Sequence, residues 1–247
     1  MNRGIAICTY NRGPNLGSII EAVLSTKPDG CSVVIADDGS DDNTFDVVSQ
    51  YKKQVSYYAG VNKGVSANKN RALFALKGCD TLCIIEDDLM PTEKGWYEIY
   101  ENFVFETDIH HLCRVQDKIV DEVVPEFTAY VQKKLGYTPI YGPSPRGDLT
   151  FITARVLREV GAFSSEFVGV GYAHGQWSNR AAVAGLCSHP NKWIDIKEAR
   201  DKFIQVGDTT GGRWQKPVEE IQEQINKNRE VRNRLGTREI FIPLELP

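Results

Sequence analysis

The amino-acid sequence predicts an α/β fold: a mostly parallel central sheet with helices on both faces. Three observations carry this. Short apolar runs that suit buried strands alternate with segments of helical apolar spacing. Such alternation implies right-handed crossovers and a sheet covered on both faces. Each of the first four runs also ends in a polar or acidic cluster, and the strand C-terminal ends of an open α/β sheet are where ligands bind.

The first run, Gly4-Ile5-Ala6-Ile7-Cys8, passes into Thr9-Tyr10-Asn11-Arg12-Gly13-Pro14, where polar residues, glycine and proline signal a loop and a helix start. Leu16, Ile19, Ile20, Val23 and Leu24 then recur at helical spacing. The second run, Val33-Val34-Ile35-Ala36, ends in Asp37-Asp38-Gly39-Ser40 and precedes a segment with Phe45, Val48 and Tyr51. The third, Val55-Ser56-Tyr57-Tyr58, leads through Asn62-Lys63-Gly64 to a helix with Ala72, Leu73 and Leu76. The fourth, Thr81-Leu82-Cys83-Ile84-Ile85, runs into Glu86-Asp87-Asp88 and is closed by Pro91. Three adjacent carboxylates repel one another unless a cation or hydrogen bonds compensate, and hard divalent ions take carboxylate oxygens. A solvated acidic turn is the plain alternative.

The composition excludes some classes. Lys plus Arg number 29 and Asp plus Glu 33, a net charge of −4, so no global basic field draws the chain to nucleic acid or anionic membrane. No apolar run approaches the roughly 20 residues of a spanning helix, and the N-terminus lacks signal-peptide regions. The six cysteines form no CxxC pair and read as reduced core thiols of a cytoplasmic protein. Neither GxGxxG after the first run nor GxxxxGK[ST] occurs, which disfavours a dinucleotide site and a P-loop.

Ile7-Cys8-Thr9-Tyr10-Asn11, Ala36-Asp37-Asp38-Gly39-Ser40 with Asp42 and Thr44, Asn62-Lys63-Gly64 with Ala67 and Asn70, and Glu86-Asp87-Asp88 stand in order over residues 4–90. Together they resemble the successive motifs of family 2 glycosyltransferases with the GT-A (nucleotide-diphospho-sugar transferase) fold. The resemblance implies that Thr9 and Tyr10 with Asp38, and Asp37 before it, hold the nucleotide base and ribose. It places Asn11 and Arg12 on the first loop, where Arg12 either faces phosphate or is solvated. Asn62, Lys63, Gly64 and Asn70 form its third motif, near the diphosphate, with Lys69 and Arg71 close by. Glu86-Asp87-Asp88 matches the family's DxD element, so Asp88 is expected to ligate Mn²⁺ or Mg²⁺ between the phosphates, with Asp87 or Glu86 reaching ribose or sugar. Glutamate at the first position departs from the pattern.

After Pro91, Trp96, Tyr97, Ile99, Tyr100 and Phe103 suggest an aromatic core helix, and residues 110–113 a strand entry. Residues 117–136 read as a helical insertion. Residues 137–148, rich in proline and glycine, read as a loop; 149–153 as a strand; 154–163 as a helix ending at glycine. In the resembling family an acceptor-side helix follows, opened by a Glu-Asp pair; here Ala173 and His174 stand in that place, and Arg180 fits the later arginine. The family's aspartate is the expected general base. His174 has a suitable pKa for that task, and it is also a candidate metal ligand or a helix cap. Asp148 is the next candidate base. Trp177 either stacks on a sugar or fills core. His189 is a further candidate metal ligand, and Arg213, in the glycine-rich stretch 206–214, a candidate diphosphate contact on a closing loop. Residues 217–235 carry a thin apolar stripe on a charged helix, and 238–243 suggest a short edge strand.

The sequence thus divides into a nucleotide-sugar half (1–110), an acceptor half (111–205) and a C-terminal loop and helix (206–247). The expected activity is inverting, metal-dependent transfer from a nucleotide-diphosphate sugar, with a UDP-sugar the expected donor, to a glycan or other hydroxyl acceptor. A sugar-phosphate nucleotidyltransferase and a non-catalytic sugar-nucleotide or carbohydrate-binding domain remain the alternatives.

Overall fold

The four N-terminal runs each form a strand at the expected place. In chain order the first half comprises β1 (Arg3–Thr9), α1 (Gly13–Thr26), β2 (Ser32–Asp37), α2 (Thr44–Ser49), β3 (Ser56–Ala59), α3 (Val65–Ala75), β4 (Thr81–Glu86), β5 (Leu89–Pro91) and α4 (Trp96–Thr107). The second half adds β6 (His111–Val115), α5 (Pro125–Leu135), β7 (Pro139–Gly142), β8 (Pro145–Thr153), α6 (Ala154–Glu159), α7 (Ala173–Val183), β9 (Trp193–Ile196), α8 (Lys197–Arg200), β10 (Phe203–Gln205) and α9 (Val218–Leu235). The structure, a computed structural model, describes residues 1–115, 125–187, 193–207, 217–237 and 240–245.

The central sheet has the order β3-β2-β1-β4-β8-β6. Its first four strands are parallel, and β8 runs antiparallel to both β4 and β6. Alternate residues of each strand point to opposite faces. Ile5, Ile7, Val33, Ile35, Cys83 and Ile85 pack on one side with Leu16 of α1 and Trp96 and Tyr97 of α4. Ala6, Cys8, Val34, Ala36, Leu82 and Ile84 pack on the other with Leu73 of α3, Val156 of α6 and Trp177 of α7. This two-sided burial is why the strands read as continuous apolar runs.

Three expectations need correction. Residues 137–148 are not a loop: β7 pairs with β9, and β8 begins at Pro145. Pro139 and Pro145 each open a strand, the position where a missing N–H is tolerated. The helix from Ala154 stops at Glu159, and Gly161 follows with φ 69°. In place of an edge strand at 238–243, Ile242 makes a single parallel bridge to Gly161. All six cysteines are free, as the sequence implies. Among the described residues, no helix is long and apolar enough to cross a membrane.

Candidate active site

Strand register builds the floor of the site. Thr9 lies opposite Asp37, Cys8 opposite Glu86, and Asp37 opposite Ala59, so the polar ends of β1, β2, β3 and β4 form one row along the sheet edge. Above this row opens a cleft of about 1240 Å³. Thr9, Tyr10, Asp38, Asn62, Lys63, Gly64, Glu86, Asp87 and His174 all line it.

The loops after β2 and β3 are tied together by hydrogen bonds. The buried Asp38 carboxylate accepts hydrogen bonds from the backbone N–H groups of Lys63 (3.2 Å) and Gly64 (2.7 Å), tying the second loop to the third. Burial raises the pKa of Asp38, and those two N–H groups oppose the shift. Gly64 has φ 92°, and a Cβ there would lie 2.3 Å from the Gly169 nitrogen. Only glycine suits that backbone and that contact.

Several expected ligand-binding residues brace the loops behind the cleft and do not line it. Asp37 accepts from the Ser40 N–H (3.0 Å), the Ser40 hydroxyl (2.6 Å) and the Tyr57 hydroxyl (2.5 Å), so it shapes the turn. Asn11, at φ 51°, donates its N–H to Ser40 Oγ and accepts at Oδ1 from the Asp41 N–H, joining the first two loops. Arg12 is buried with its Nε 3.9 Å from the Asp87 carboxylate. Asn70 exchanges two hydrogen bonds with the Phe163 backbone, which uses its amide structurally. His189 and Arg213 lie outside the described residues.

The acidic triplet divides. Glu86 and Asp87 face the cleft, whereas Asp88 is 3% exposed, does not line it, and its carbonyl accepts from the Val206 N–H. Lys69, 1% exposed, puts its Nζ 3.3 Å from Glu86 Oε1 and donates to the Gly147 carbonyl at 2.5 Å. Among the described residues, no group of three or more His, Cys, Asp and Glu side chains stands close enough to hold a metal ion. A magnesium-like ion is usually bound by one or two carboxylates together with substrate phosphates, not by a full protein cage. The hard oxygen donors of Glu86 and Asp87 on the cleft wall fit that arrangement.

Across the cleft, His174 sits in the first turn of α7 and is 9% exposed. Its Nδ1 has no hydrogen-bond partner, and its Nε2 lies 3.4 Å from Ser178 Oγ. Burial, with help from the Lys69 charge and His111, holds its pKa well below 6.5, so the ring is neutral. Asp148, the alternative base, lies away from the cleft with its Oδ2 3.0 Å from both Arg114 and Arg146. Trp177 is core: it stacks on Phe163 at 4.6 Å and donates to the Gly161 carbonyl. Arg180 is fully buried and donates to the carbonyls of Val160, Ala162 and Ile240. It fastens the C-terminal segment and does not line the cleft.

Two features were missed in the sequence. Asn68 donates to the carbonyls of Thr9 and Ala36, locking α3 to the ends of β1 and β2. More importantly, α9 forms a cleft wall through Glu220, Ile221, Glu223, Gln224 and Lys227. Its buried Asn228 donates to the carbonyls of Val168, Val170 and Gly171 and accepts from the Val168 N–H. The signal was present: Asn228 falls within the apolar stripe formed by Ile221, Ile225, Val231 and Leu235, where an unpartnered amide would be costly.

Solved structures with the same GT-A fold include GalNAc-T7 with UDP, GalNAc and Mn²⁺, at TM-score 0.64 and 14% identity, covering 78% of this chain and 42% of that one. Glucosyl-3-phosphoglycerate synthase from Mycobacterium tuberculosis, in complex with Mn²⁺, UDP and glucosyl-3-phosphoglycerate, aligns at TM-score 0.59 and 14% identity, covering 96% and 81%. A mannosyltransferase from Pyrobaculum calidifontis, with GDP-Man and Mn²⁺, aligns at 0.53 and 16%, covering 74% and 52%. The chain thus spans about half the length of the first and third of these. No curated protein sequence matches it. Residues 4–147, which hold all four motifs and the sheet edge they decorate, match glycosyl transferase family 2. The chain belongs to that family.

Proposed function

We propose that this protein transfers a sugar from a nucleotide-diphosphate donor, a UDP-sugar, to a hydroxyl acceptor with inversion at the anomeric carbon. The observation that carries the reading is the shared cleft: Asp38, Glu86 and Asp87 from the nucleotide half and a neutral imidazole, His174, from the acceptor half line one cavity. Asp38 and Thr9 receive the base and ribose. Lys63, on the exposed third loop, offers charge to the diphosphate. The cleft-lining carboxylates of Glu86 and Asp87 would hold a divalent cation, which when bound withdraws charge from the leaving diphosphate.

The chain's own contribution is positional and basic. As the acceptor oxygen attacks the anomeric carbon, the bond to the diphosphate oxygen breaks and the acceptor proton passes to His174. The structures with UDP, GDP-Man and Mn²⁺ share this fold, which supports a nucleotide-sugar donor. Residues 1–110 would bind the donor, 111–205 the acceptor, and 206–247 would extend the acceptor wall through α9. The test is a panel of UDP- and GDP-sugars with Mn²⁺, read by calorimetry and by release of the nucleoside diphosphate. Binding with slow hydrolysis of one donor is expected; no binding of any donor overturns the proposal. Release of pyrophosphate from a sugar phosphate and a nucleoside triphosphate would instead identify a nucleotidyltransferase.

A further inference from the structure

Ser178 sits on α7 one turn after His174, and its hydroxyl touches two imidazoles. Its Oγ lies 3.1 Å from His111 Nε2 and 3.4 Å from His174 Nε2. Ser178 and His111 are buried to 0% and 1% exposure, and the two rings stand 6.5 Å apart. Neither ring's Nδ1 has a hydrogen-bond partner. A hydroxyl has one proton, so it donates to one imidazole and accepts from the other. The two histidines are therefore locked in opposite tautomers.

The direction of the chain follows from the task proposed for His174. A base needs a free lone pair, and Nδ1 is the ring nitrogen that Ser178 does not occupy. His174 Nε2–H then donates to Ser178 Oγ, and the Ser178 O–H donates to His111 Nε2, which leaves His111 protonated at Nδ1. We infer that His111 and Ser178 are positioning residues that fix the His174 ring and its tautomer, so that Nδ1 is the nitrogen that takes the acceptor's proton. This rests on the glycosyltransferase reading for the direction of the chain; that the two rings carry opposite tautomers does not depend on it. The arrangement parallels the way a buried partner orients a catalytic imidazole, with a second histidine in place of a carboxylate.

The test is nitrogen-15 correlation spectroscopy of histidine-labelled protein near pH 7, without donor. His111 is expected in the Nδ1–H form, the less common tautomer of a free imidazole, and His174 in the Nε2–H form. In Ser178→Ala, His111 is expected to revert to a mixture. Transfer kcat should fall about tenfold, a part of the roughly 10² to 10⁴ that a positioned base supplies, with the affinity for UDP unchanged. Ser178→Thr, which keeps the hydroxyl, should restore both the tautomer and the rate. A His111 ring protonated at Nε2 in the wild type, or a His174 ring protonated at Nδ1, overturns the inference. So does an unchanged His111 spectrum in Ser178→Ala. Absence of any sugar transfer by the wild type would sink the proposed function but leave the spectroscopic result to decide the tautomers.

Discussion

The ammonium of Lys69 lies 3.3 Å from the Glu86 carboxylate, inside the wall of the cleft. The lysine comes from α3 and the glutamate from the end of β4, so the pair joins the third loop to the acidic triplet. Breaking a buried ion pair by removing one partner leaves an uncompensated charge. Lys69→Met should lower stability by about 2 kcal/mol, below the usual cost of a broken buried pair because Glu86 keeps some solvent contact. Urea titration measures this; an unchanged midpoint would mean that the pair contributes nothing.

His174→Ala should reduce transfer at least ~100-fold while leaving UDP affinity intact, because the proposed mechanism gives the imidazole the acceptor's proton. The ring's pKa lies well below 6.5, so wild-type kcat/KM should stay level as pH falls to 6.5 and drop only below it. An acid limb centred at or above 6.5 would assign that proton to another group.

Stability should depend on His111 in a defined window. Burial lowers its pKa from 6.5 to about 4. Between those values the unfolded chain binds the proton and the folded chain does not, so stability falls as pH falls from 6.5 to 4, by roughly 3 kcal/mol in total. The difference between wild type and His111→Gln in urea midpoints across this range reads the effect. A difference independent of pH would contradict it.

Gly64→Ala should cost at least about 2 kcal/mol and abolish donor binding, because the new Cβ meets the Gly169 backbone and φ is positive. Thermal unfolding and UDP calorimetry on the same sample separate the two losses. Normal values in both would show that the two loops can move apart at no cost.

Removing divalent ions with EDTA should lower transfer at least ~100-fold, and Mn²⁺ or Mg²⁺ should restore it. Full activity with the chelator present would leave Lys63 and Lys69, which line the cleft, as the cations that serve the diphosphate.

What could be read from the sequence was local. Each of the first four strands is a continuous apolar run between loops, and its polar end lies next to it in the chain, so Asp38, Glu86 and Asp87 were visible as one edge before any coordinates. The structural bonds of Asn70 and Arg180 were not legible, because their partners are far away in sequence: Asn70 meets Phe163 and Arg180 meets Ile240. A polar side chain in a motif looks like a ligand contact until its distant carbonyl is known. The strands at Pro139 and Pro145 were hidden for a similar reason. Their local signal is that of a turn, and only pairing with β9 and with β4 and β6 makes them extended. His174 stood out as a candidate through its position, whereas its contacts through Ser178 to His111 cross from α7 to β6 and left no trace in spacing.

A single amide, Asn228, satisfies the backbone of the segment leading into α7. The outer helix is consequently a template for that segment's shape, while the carboxylates proposed to serve the leaving group stand on separate strands. In the proposed reaction, exchanging the exposed face of α9 at Glu220, Glu223 and Lys227, with Asn228 kept, should retarget which molecule becomes decorated while the donated sugar stays the same.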